Sequence, residues 1–252
     1  PDLAVVLVPS LSLMLQTIRE WTANTTVGFR YLPVCSDARV TEDKRPGEDP
    51  DLTVGDLSVL DAPATTDVDT IAGFLRLDEP RVVFCTYQSA EVLAAGMPDR
   101  FKFDLGIFDE AHKTAGSVGK KNSFALSDEN MKIKKRLFMT ATTRHYHPSN
   151  KDVQGDNKLV YSMDNPEVYG PIVHDLTFAA AAKKDIICNY KVLISVAATD
   201  EVREALRKRA DVLVDGDPVK VRQVANQLTI QQAVEKHDVS KIISFHNTIA
   251  AA

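Results

Sequence analysis

The chain has 252 residues, of which 44% are hydrophobic and 26% are charged, so it is long enough to bury a substantial core. The formal net charge of −5 excludes a generally basic protein that coats nucleic acid, and any nucleic-acid contact must come from a local surface. Three widely spaced cysteines argue against a disulfide framework or a zinc ribbon and favour the reducing cytoplasm. No apolar run approaches membrane-spanning length, so we expect no membrane partner.

Short apolar runs alternate with helical patterns along most of the chain. This alternation is typical of βαβ units and predicts an α/β fold with a mainly parallel sheet. The expected strands are Leu3–Val8, Gly28–Val34, Arg81–Tyr87, Leu105–Asp109 and Lys135–Thr140, several of them apolar throughout, as strands covered on both faces should be. Helical spacing predicts helices over Ser10–Trp21, Asp67–Leu77 and Ser89–Gly96, with Asp67 and Ser89 as N-cap residues.

Two polar stretches, rich in charged and turn-forming residues, separate some of these elements. They are Ser36–Asp56 and His147–Lys158. Because a buried connection would carry unsatisfied backbone polar groups, we expect both stretches to run over the surface.

The alternating pattern begins again in the last quarter of the chain. It predicts a strand at Tyr190–Ala197, a long charged helical region from Asp200 to about His237, and a strand at Lys241–Phe245. We therefore expect two domains, residues 1–188 and residues 189–252, with only the beginning of the second present.

The stretch GIFDEAHKTAG, Gly106–Gly116, places two adjacent carboxylates directly after an apolar strand. Ligands of open parallel α/β sheets bind outside the carboxyl ends of the strands, so a nucleotide would lie beside Asp109. A carboxylate there can hold Mg²⁺, and the second carboxylate, Glu110, can deprotonate the attacking water. For an isolated Asp-Glu pair, the alternative is simply an acidic start to a helix, favoured by the helix dipole.

The complete tetrad DEAH resembles motif II, the Walker B box, of superfamily 2 DEAD/DEAH-box helicases and translocases. Other segments resemble motifs of that family in the same order, namely LVPSLSLMLQT (motif Ia), CTYQSA (Ib), FMTATTR (III) and KIISFHNTIAAA (IV). VCSD, DEAHKTAG and YGPIVHDLTFAAAAKKDIICNYKVLI are similar more narrowly to the motors of bacterial restriction-modification enzymes (Type I, Type III or single-polypeptide) or phage-defence enzymes. The resemblance covers nearly the whole chain.

This resemblance implies an incomplete first motor domain with a RecA-like parallel sheet flanked by helices, followed by the start of a second RecA-like domain. It implies that Asp109 binds Mg²⁺ through a water shell and that Glu110 is the catalytic base of ATP hydrolysis. His112 would hydrogen-bond toward Thr140 and Thr142, linking the γ-phosphate site to movement of the second domain. The alternative for the two threonines is a plain cap on the turn after their strand.

The resemblance also implies a sequence-independent grip on the phosphate backbone of DNA. Ser10, Thr86 and Ser89, from the segments similar to motifs Ia and Ib, would supply hydroxyl groups beside backbone N–H groups at helix starts. Each of the three also suits a helix N-cap, and the two roles are compatible.

The implied function is that of an ATP-dependent DNA translocase or helicase motor, with nuclease or methyltransferase domains or subunits as possible companions in the parent protein. Two alternatives stay open: a non-catalytic nucleic-acid-binding scaffold on a decayed helicase fold, and a DEAH-type RNA helicase.

The chain contains no phosphate-binding loop of the form GxxxxGK[ST]. The segment GSVGKKNS, Gly116–Ser123, has the wrong glycine spacing, and Lys121 stands where Ser or Thr is required. We expect the true loop before Leu3 and the arginine fingers beyond Ala252 in the parent protein. The 252-residue chain by itself should therefore hydrolyse ATP negligibly.

Overall fold

The structure is a computed structural model that describes residues 3–35, 63–117, 121–146, 160–189, 211–214 and 217–220, together with residues 230, 231, 234 and 236. The chain divides into two compact units, Pro1–Val173 and His174–Ala252. The domain boundary expected after residue 188 stays a prediction.

A five-stranded parallel sheet forms the centre of the first unit. Its strands are β1 (Leu3–Val8), β2 (Arg30–Val34), β3 (Arg81–Thr86), β4 (Phe103–Phe108) and β6 (Ile133–Phe138). They lie in the order β2-β3-β1-β4-β6, and every neighbouring pair is parallel. Two short strands, β5 (Gly116–Ser117) and β7 (Val160–Tyr161), pair separately in the antiparallel sense. The five strands predicted between Leu3 and Thr140 are all present, with ends shifted by at most two residues, and the α/β class is confirmed.

Helices cover both faces of this sheet. All six residues of the central strand β1 are buried, and they alternate between two apolar clusters. Helix α1 (Leu11–Asn24) packs into the cluster that contains Val6 and Val8, whereas α2 (Val68–Leu75) and α3 (Ala90–Ala95) pack into the cluster that contains Val5. This two-sided burial explains why the strand is apolar throughout instead of alternating with polar residues.

The helix starts follow the predicted capping pattern with one exception. The Ser10 hydroxyl accepts a hydrogen bond from Leu13 N at 3.3 Å, and the Asp67 carboxylate accepts one from Thr70 N at 2.8 Å. Ser89 occupies the N-cap position of α3 but makes no capping bond. Its hydroxyl accepts a hydrogen bond from the Thr86 hydroxyl at 3.0 Å, within a 3₁₀ turn over Tyr87–Ser89. Ser89 is therefore the N-cap residue of α3, as predicted, but without a capping hydrogen bond from its side chain.

A close approach between α2 and the end of α3 yields the first testable prediction. A Cβ atom on Gly96 would lie 2.5 Å from Ile71 Cγ2, so Gly96→Ala forces the two segments apart. Overpacking of this kind costs about 1–3 kcal/mol, and we expect the free energy of unfolding of the 252-residue chain to fall by that amount. Urea unfolding, followed by the fluorescence of the single tryptophan, Trp21, measures the change.

Gly73 provides the matched control for Gly96. A Cβ atom there has no neighbour within 4 Å, and the residue is exposed inside α2. Gly73→Ala should therefore raise the free energy of unfolding by about 0.5–1 kcal/mol, because alanine loses less backbone entropy in a helix. Equal effects of the two substitutions would contradict the close approach at Gly96.

The described elements of the second unit are α5 (Phe178–Lys183) and a hairpin of β8 (Asp211–Val214) and β9 (Asp217–Lys220). This hairpin shows that the prediction of one helical region from Asp200 to His237 is wrong. The two strands are separated in the sequence by Asp-Gly, residues 215 and 216, which is a strong signal for a two-residue hairpin connection. That local signal outweighs the helical spacing of the charged residues around it.

Four other predicted segments lie outside the described residues: the connections Ser36–Asp56 and His147–Lys158, and the strands Tyr190–Ala197 and Lys241–Phe245. Among the helices that are described, none is long and apolar enough to cross a membrane.

Candidate functional site

The acidic pair lies at the carboxyl edge of the parallel sheet, directly after β4. Backbone hydrogen bonds fix it between two neighbouring strands: Asp109 N donates to Leu7 O of β1 at 2.9 Å, and Ala111 N donates to Met139 O beyond β6 at 2.9 Å. Met139 N in turn donates to Phe108 O at 2.9 Å. The ladder of the sheet therefore extends into the DEAH segment and holds its backbone on both sides.

Glu110 has a left-handed backbone, with φ 48° and ψ 44°. This region is uncommon for residues other than glycine, and residues held there cluster at functional sites. The conformation is supported locally, since Glu110 N donates to Asp109 Oδ1 at 3.0 Å and Glu110 O accepts from Lys113 N at 2.9 Å. The chain thereby turns into a 3₁₀ helix over Ala111–Thr114, and the Glu110 side chain stays 36% exposed.

His112 connects the acidic pair to the end of β6. Its Nδ1 atom lies 2.9 Å from Thr140 Oγ1 and 3.1 Å from Glu110 Oε2. Thr140 Oγ1 donates to Thr142 O at 3.0 Å, which uses its only proton, so it accepts from the imidazole. The Glu110 carboxylate also only accepts, and both contacts therefore require the proton on Nδ1.

The contact expected between His112 and Thr140 is present. Thr142 is linked to the imidazole indirectly, by hydrogen bonds to Thr140. The Thr140 hydroxyl accepts one of these bonds from Thr142 N at 3.1 Å. The three residues form one chain of hydrogen bonds that runs from the end of β4 to the turn after β6.

Tyr87 holds the backbone of the acidic pair from the β3 side of the sheet, whereas Thr140 lies on the β6 side. Its hydroxyl donates to Asp109 O at 2.7 Å, and its ring packs against Phe108 with centroids 6.5 Å apart. Tyr87 is only 2% exposed. Burial, followed by the nearby Asp109 charge, raises the pKa of Tyr87 far above its ordinary value, so the hydroxyl stays a neutral donor.

A second tyrosine supports the 3₁₀ helix that follows. The Thr114 hydroxyl donates to Ala111 O at 2.7 Å, and Tyr169 Oη lies 3.0 Å from the same Thr114 hydroxyl. Because the Thr114 proton is already used, Tyr169 is the donor in this pair. Tyr169 ends α4 (Pro166–Tyr169), and its ring packs edge-on against Phe138 at a centroid distance of 4.9 Å.

Tyr87, Thr114 and Tyr169 are absent from the residues that the sequence alone singles out. Tyr87 lies inside CTYQSA and Thr114 inside DEAHKTAG, so the motifs point to their neighbourhood. A tyrosine after an apolar strand is, however, most simply a core residue. Only the fold brings the hydroxyl groups of Tyr87 and Thr114 to the backbone of this segment, and the hydroxyl of Tyr169 to Thr114.

The three residues expected to contact DNA lie at the same edge of the sheet. Ser10 follows β1, and Thr86 ends the neighbouring strand β3. Thr86 and Ser89 are 7% and 5% exposed, and their hydroxyls bond to each other. Gln88, between Tyr87 and Ser89, is the exposed side chain of this turn.

The oxygen donors at the acidic pair suit a magnesium ion. Asp109 and Glu110 are both partly exposed, and carboxylate oxygens are the ligands that Mg²⁺ prefers. Within the part of the chain that the structure describes, no three His, Cys, Asp or Glu side chains group to form an all-protein metal site.

Comparisons with known proteins show similarity to parts of restriction enzymes. The family model "Type III restriction enzyme, res subunit" matches residues 2–145, more than half of the chain. The ATP-dependent Type ISP restriction-modification enzyme LlaBIII bound to DNA is 28% identical, with a TM-score of 0.62 over 98% of this chain and 16% of that one. A comparison with curated proteins finds no match.

A nuclease-deletion mutant of the Type ISP restriction-modification enzyme LlaGI, in complex with a DNA substrate mimic, also shares the fold. It is 24% identical, with a TM-score of 0.56 over 97% of this chain and 20% of that one. This chain thus spans 16% and 20% of the two restriction enzymes. The parallel sheet flanked by helices is the RecA-like arrangement expected from the motifs, and the resemblance to superfamily 2 motors of restriction-modification enzymes is confirmed. The chain belongs to the family of the Type III restriction enzyme res subunit.

Proposed function

We propose that this chain is part of an ATP-dependent DNA translocase or helicase motor in a restriction-modification enzyme. The observation that carries the proposal is the acidic pair at the carboxyl end of β4, with His112 Nδ1 within 3.1 Å of Glu110 and 2.9 Å of Thr140. The family match and the DNA-bound, ATP-dependent relative support it. Residues 189–252 would then begin the second RecA-like domain of the motor.

In this proposal Asp109 and Glu110 have different roles, metal binding and proton transfer. Asp109 would hold Mg²⁺ through its water shell, and the metal-bound ATP, when present, supplies the phosphoryl group that is transferred. Glu110 accepts the proton of the attacking water, a contribution worth about 10²- to 10⁴-fold in rate. The His112 Nδ1–H group donates to Glu110 Oε2 and so orients the carboxylate.

The same imidazole couples hydrolysis to movement. His112 joins Glu110 to Thr140, and Thr140 is bonded to the backbone of Thr142. A change of charge at Glu110 therefore reaches the turn after β6 through two hydrogen bonds. We propose that this turn passes the signal to the second motor domain.

The DNA-binding role belongs to the ends of the neighbouring strands β1 and β3. The buried hydroxyls of Thr86 and Ser89 shape the turn after β3, and Ser10 caps α1. Backbone N–H groups and the exposed Gln88 are then the groups that face phosphate. Such contacts position a strand without reading its sequence.

ATP turnover by the full-length protein tests the proposal. We expect duplex DNA to stimulate turnover severalfold and single-stranded RNA to have little effect, because the relatives in the restriction family are DNA-bound. Stimulation by RNA alone would support the RNA helicase alternative. DNA binding without any turnover would support the non-catalytic scaffold.

A further inference from the structure

We propose that Tyr87 is a positioning residue that transmits DNA binding at the turn after β3 to the acidic pair Asp109 and Glu110. The inference rests on the proposed function and deepens it. It names the physical connection between the DNA-binding edge of the sheet and the site of hydrolysis.

Tyr87 spans a whole strand to make its contact. It leaves the sheet at the end of β3, whereas Asp109 follows β4, and β1 lies between these two strands. Strands are spaced about 4.8 Å apart, so the two strand ends are separated by about 10 Å. A serine or threonine hydroxyl is too close to its own backbone to cross that gap, but the tyrosine hydroxyl reaches Asp109 O at 2.7 Å.

The atom that Tyr87 holds belongs to the peptide between Asp109 and Glu110. The carbonyl oxygen of this peptide, Asp109 O, accepts a hydrogen bond from Tyr87. The N–H group of the same peptide, Glu110 N, donates to Asp109 Oδ1 at 3.0 Å. Both polar groups of this one peptide are therefore fixed. Rotation of that peptide changes φ of Glu110, the left-handed residue with φ 48°. The Tyr87 hydroxyl consequently helps to set the direction in which the Glu110 carboxylate points.

The turn that carries Tyr87 presents one side chain, Gln88, to solvent. Within the three residues Tyr87–Ser89, the first and last are buried and Gln88 is exposed. A phosphate strand that contacts Gln88 or the turn backbone displaces a segment that contains Tyr87. Because the phenol bonds directly to Asp109 O, the displacement acts on the acidic peptide without an intermediate residue.

Tyr87 also fills the core, since its ring contacts Phe108, so the hydroxyl must be tested apart from the ring. Tyr87→Phe keeps the ring and removes only the donor. Tyr31→Phe is the matched control: it removes the same atom from a ring that packs against Phe84 in the other apolar cluster.

The first measurement is ATP turnover by the full-length protein, with and without duplex DNA, over a range of ATP concentrations. We expect Tyr87→Phe to lower the DNA-stimulated kcat about fivefold to thirtyfold, the effect of leaving one partly buried acceptor without its donor. KM for ATP and the half-stimulating DNA concentration should stay within about twofold, because no ligand contact is lost. Turnover without DNA should fall much less, so that the ratio of stimulated to unstimulated rates falls.

A merely structural role predicts a different result. If Tyr87→Phe reduced the folded fraction, kcat would fall by the same factor with and without DNA, and the ratio would be unchanged. That outcome, or a Tyr87→Phe protein indistinguishable from Tyr31→Phe, overturns the inference.

Hydrogen exchange provides a second readout that needs no nucleotide. Duplex DNA should change amide exchange in a peptide covering residues 109–114 of the wild-type protein and leave that peptide unchanged in Tyr87→Phe. An equal response in both proteins overturns the role of Tyr87.

Glu110→Gln separates the two levels of the proposal. If its turnover matches that of the wild type, the proposed function itself is wrong. If Glu110→Gln is inactive while Tyr87→Phe behaves like Tyr31→Phe, only the role of Tyr87 is wrong.

Discussion

Glu110→Gln in the full-length protein is expected to abolish ATP hydrolysis while nucleotide binding persists. Glutamine has the size of glutamate and retains an oxygen that can accept the hydrogen bond from His112 Nδ1, 3.1 Å from the carboxylate oxygen in the native chain. It cannot take a proton from water, so the contribution of the base, about 10²- to 10⁴-fold in rate, is lost. Steady-state turnover and the binding of a fluorescent ATP analogue measure the two effects separately.

Glu129→Gln makes the same chemical change on an exposed residue away from the acidic pair and serves as the control. Its turnover should equal that of the wild type. If Glu110→Gln retained turnover within about tenfold of wild type, another group would have to be the base. If it lost nucleotide binding as well, the substitution would have disturbed the site rather than the proton transfer.

His112→Ala is expected to reduce the distance moved along DNA per ATP hydrolysed. The substitution removes both the contact with Thr140 and the contact with Glu110, at 2.9 Å and 3.1 Å. Losing a hydrogen bond to a charged or buried group costs about 1–3 kcal/mol, so we expect coupling to fall about tenfold or more. A translocation assay run beside an ATPase assay gives the ratio directly.

Thr140 variants identify which of the two contacts couples the site to movement. Thr140→Val removes the Thr140 hydroxyl but leaves Glu110 and His112 in place, whereas Thr140→Ser keeps the hydroxyl. We expect Thr140→Val to lower the distance per ATP and Thr140→Ser to restore it. In the double variant with His112→Ala, the effects should not add, because both substitutions break the same chain of hydrogen bonds. Unchanged movement per ATP in His112→Ala would remove the coupling role.

The sequence predicted the sheet because its central strands β1 and β3 are buried on both faces. Runs of apolar residues such as those around Val5 and Phe84 are typical of such strands, and the carboxyl end of β4 then locates Asp109 and Glu110. Strand ends were shifted by one or two residues, since apolar patterns do not mark where backbone pairing stops. The hairpin over residues 211–220 was missed because the charged residues around it have helical spacing.

The support of the acidic pair was not predictable from local patterns. The Tyr87 contact depends on the order of three strands, and the Tyr169 contact joins residues 55 positions apart in sequence. Nothing in a glutamate residue indicates a left-handed backbone, which arises here from the bonds on either side of Glu110. Ser89 is an amino acid that often caps helices, but its hydroxyl is hydrogen-bonded to the Thr86 hydroxyl instead.

The left-handed backbone at position 110 favours an amino acid other than the glutamate that we propose as the base. A glycine would adopt φ 48° and ψ 44° without the steric conflict that a Cβ atom causes, which amounts to about 1–2 kcal/mol. Glycine has no carboxylate, so the more thermostable variant would lack the base that we propose for ATP hydrolysis. Selection for stability alone would therefore erode the proposed activity at this position.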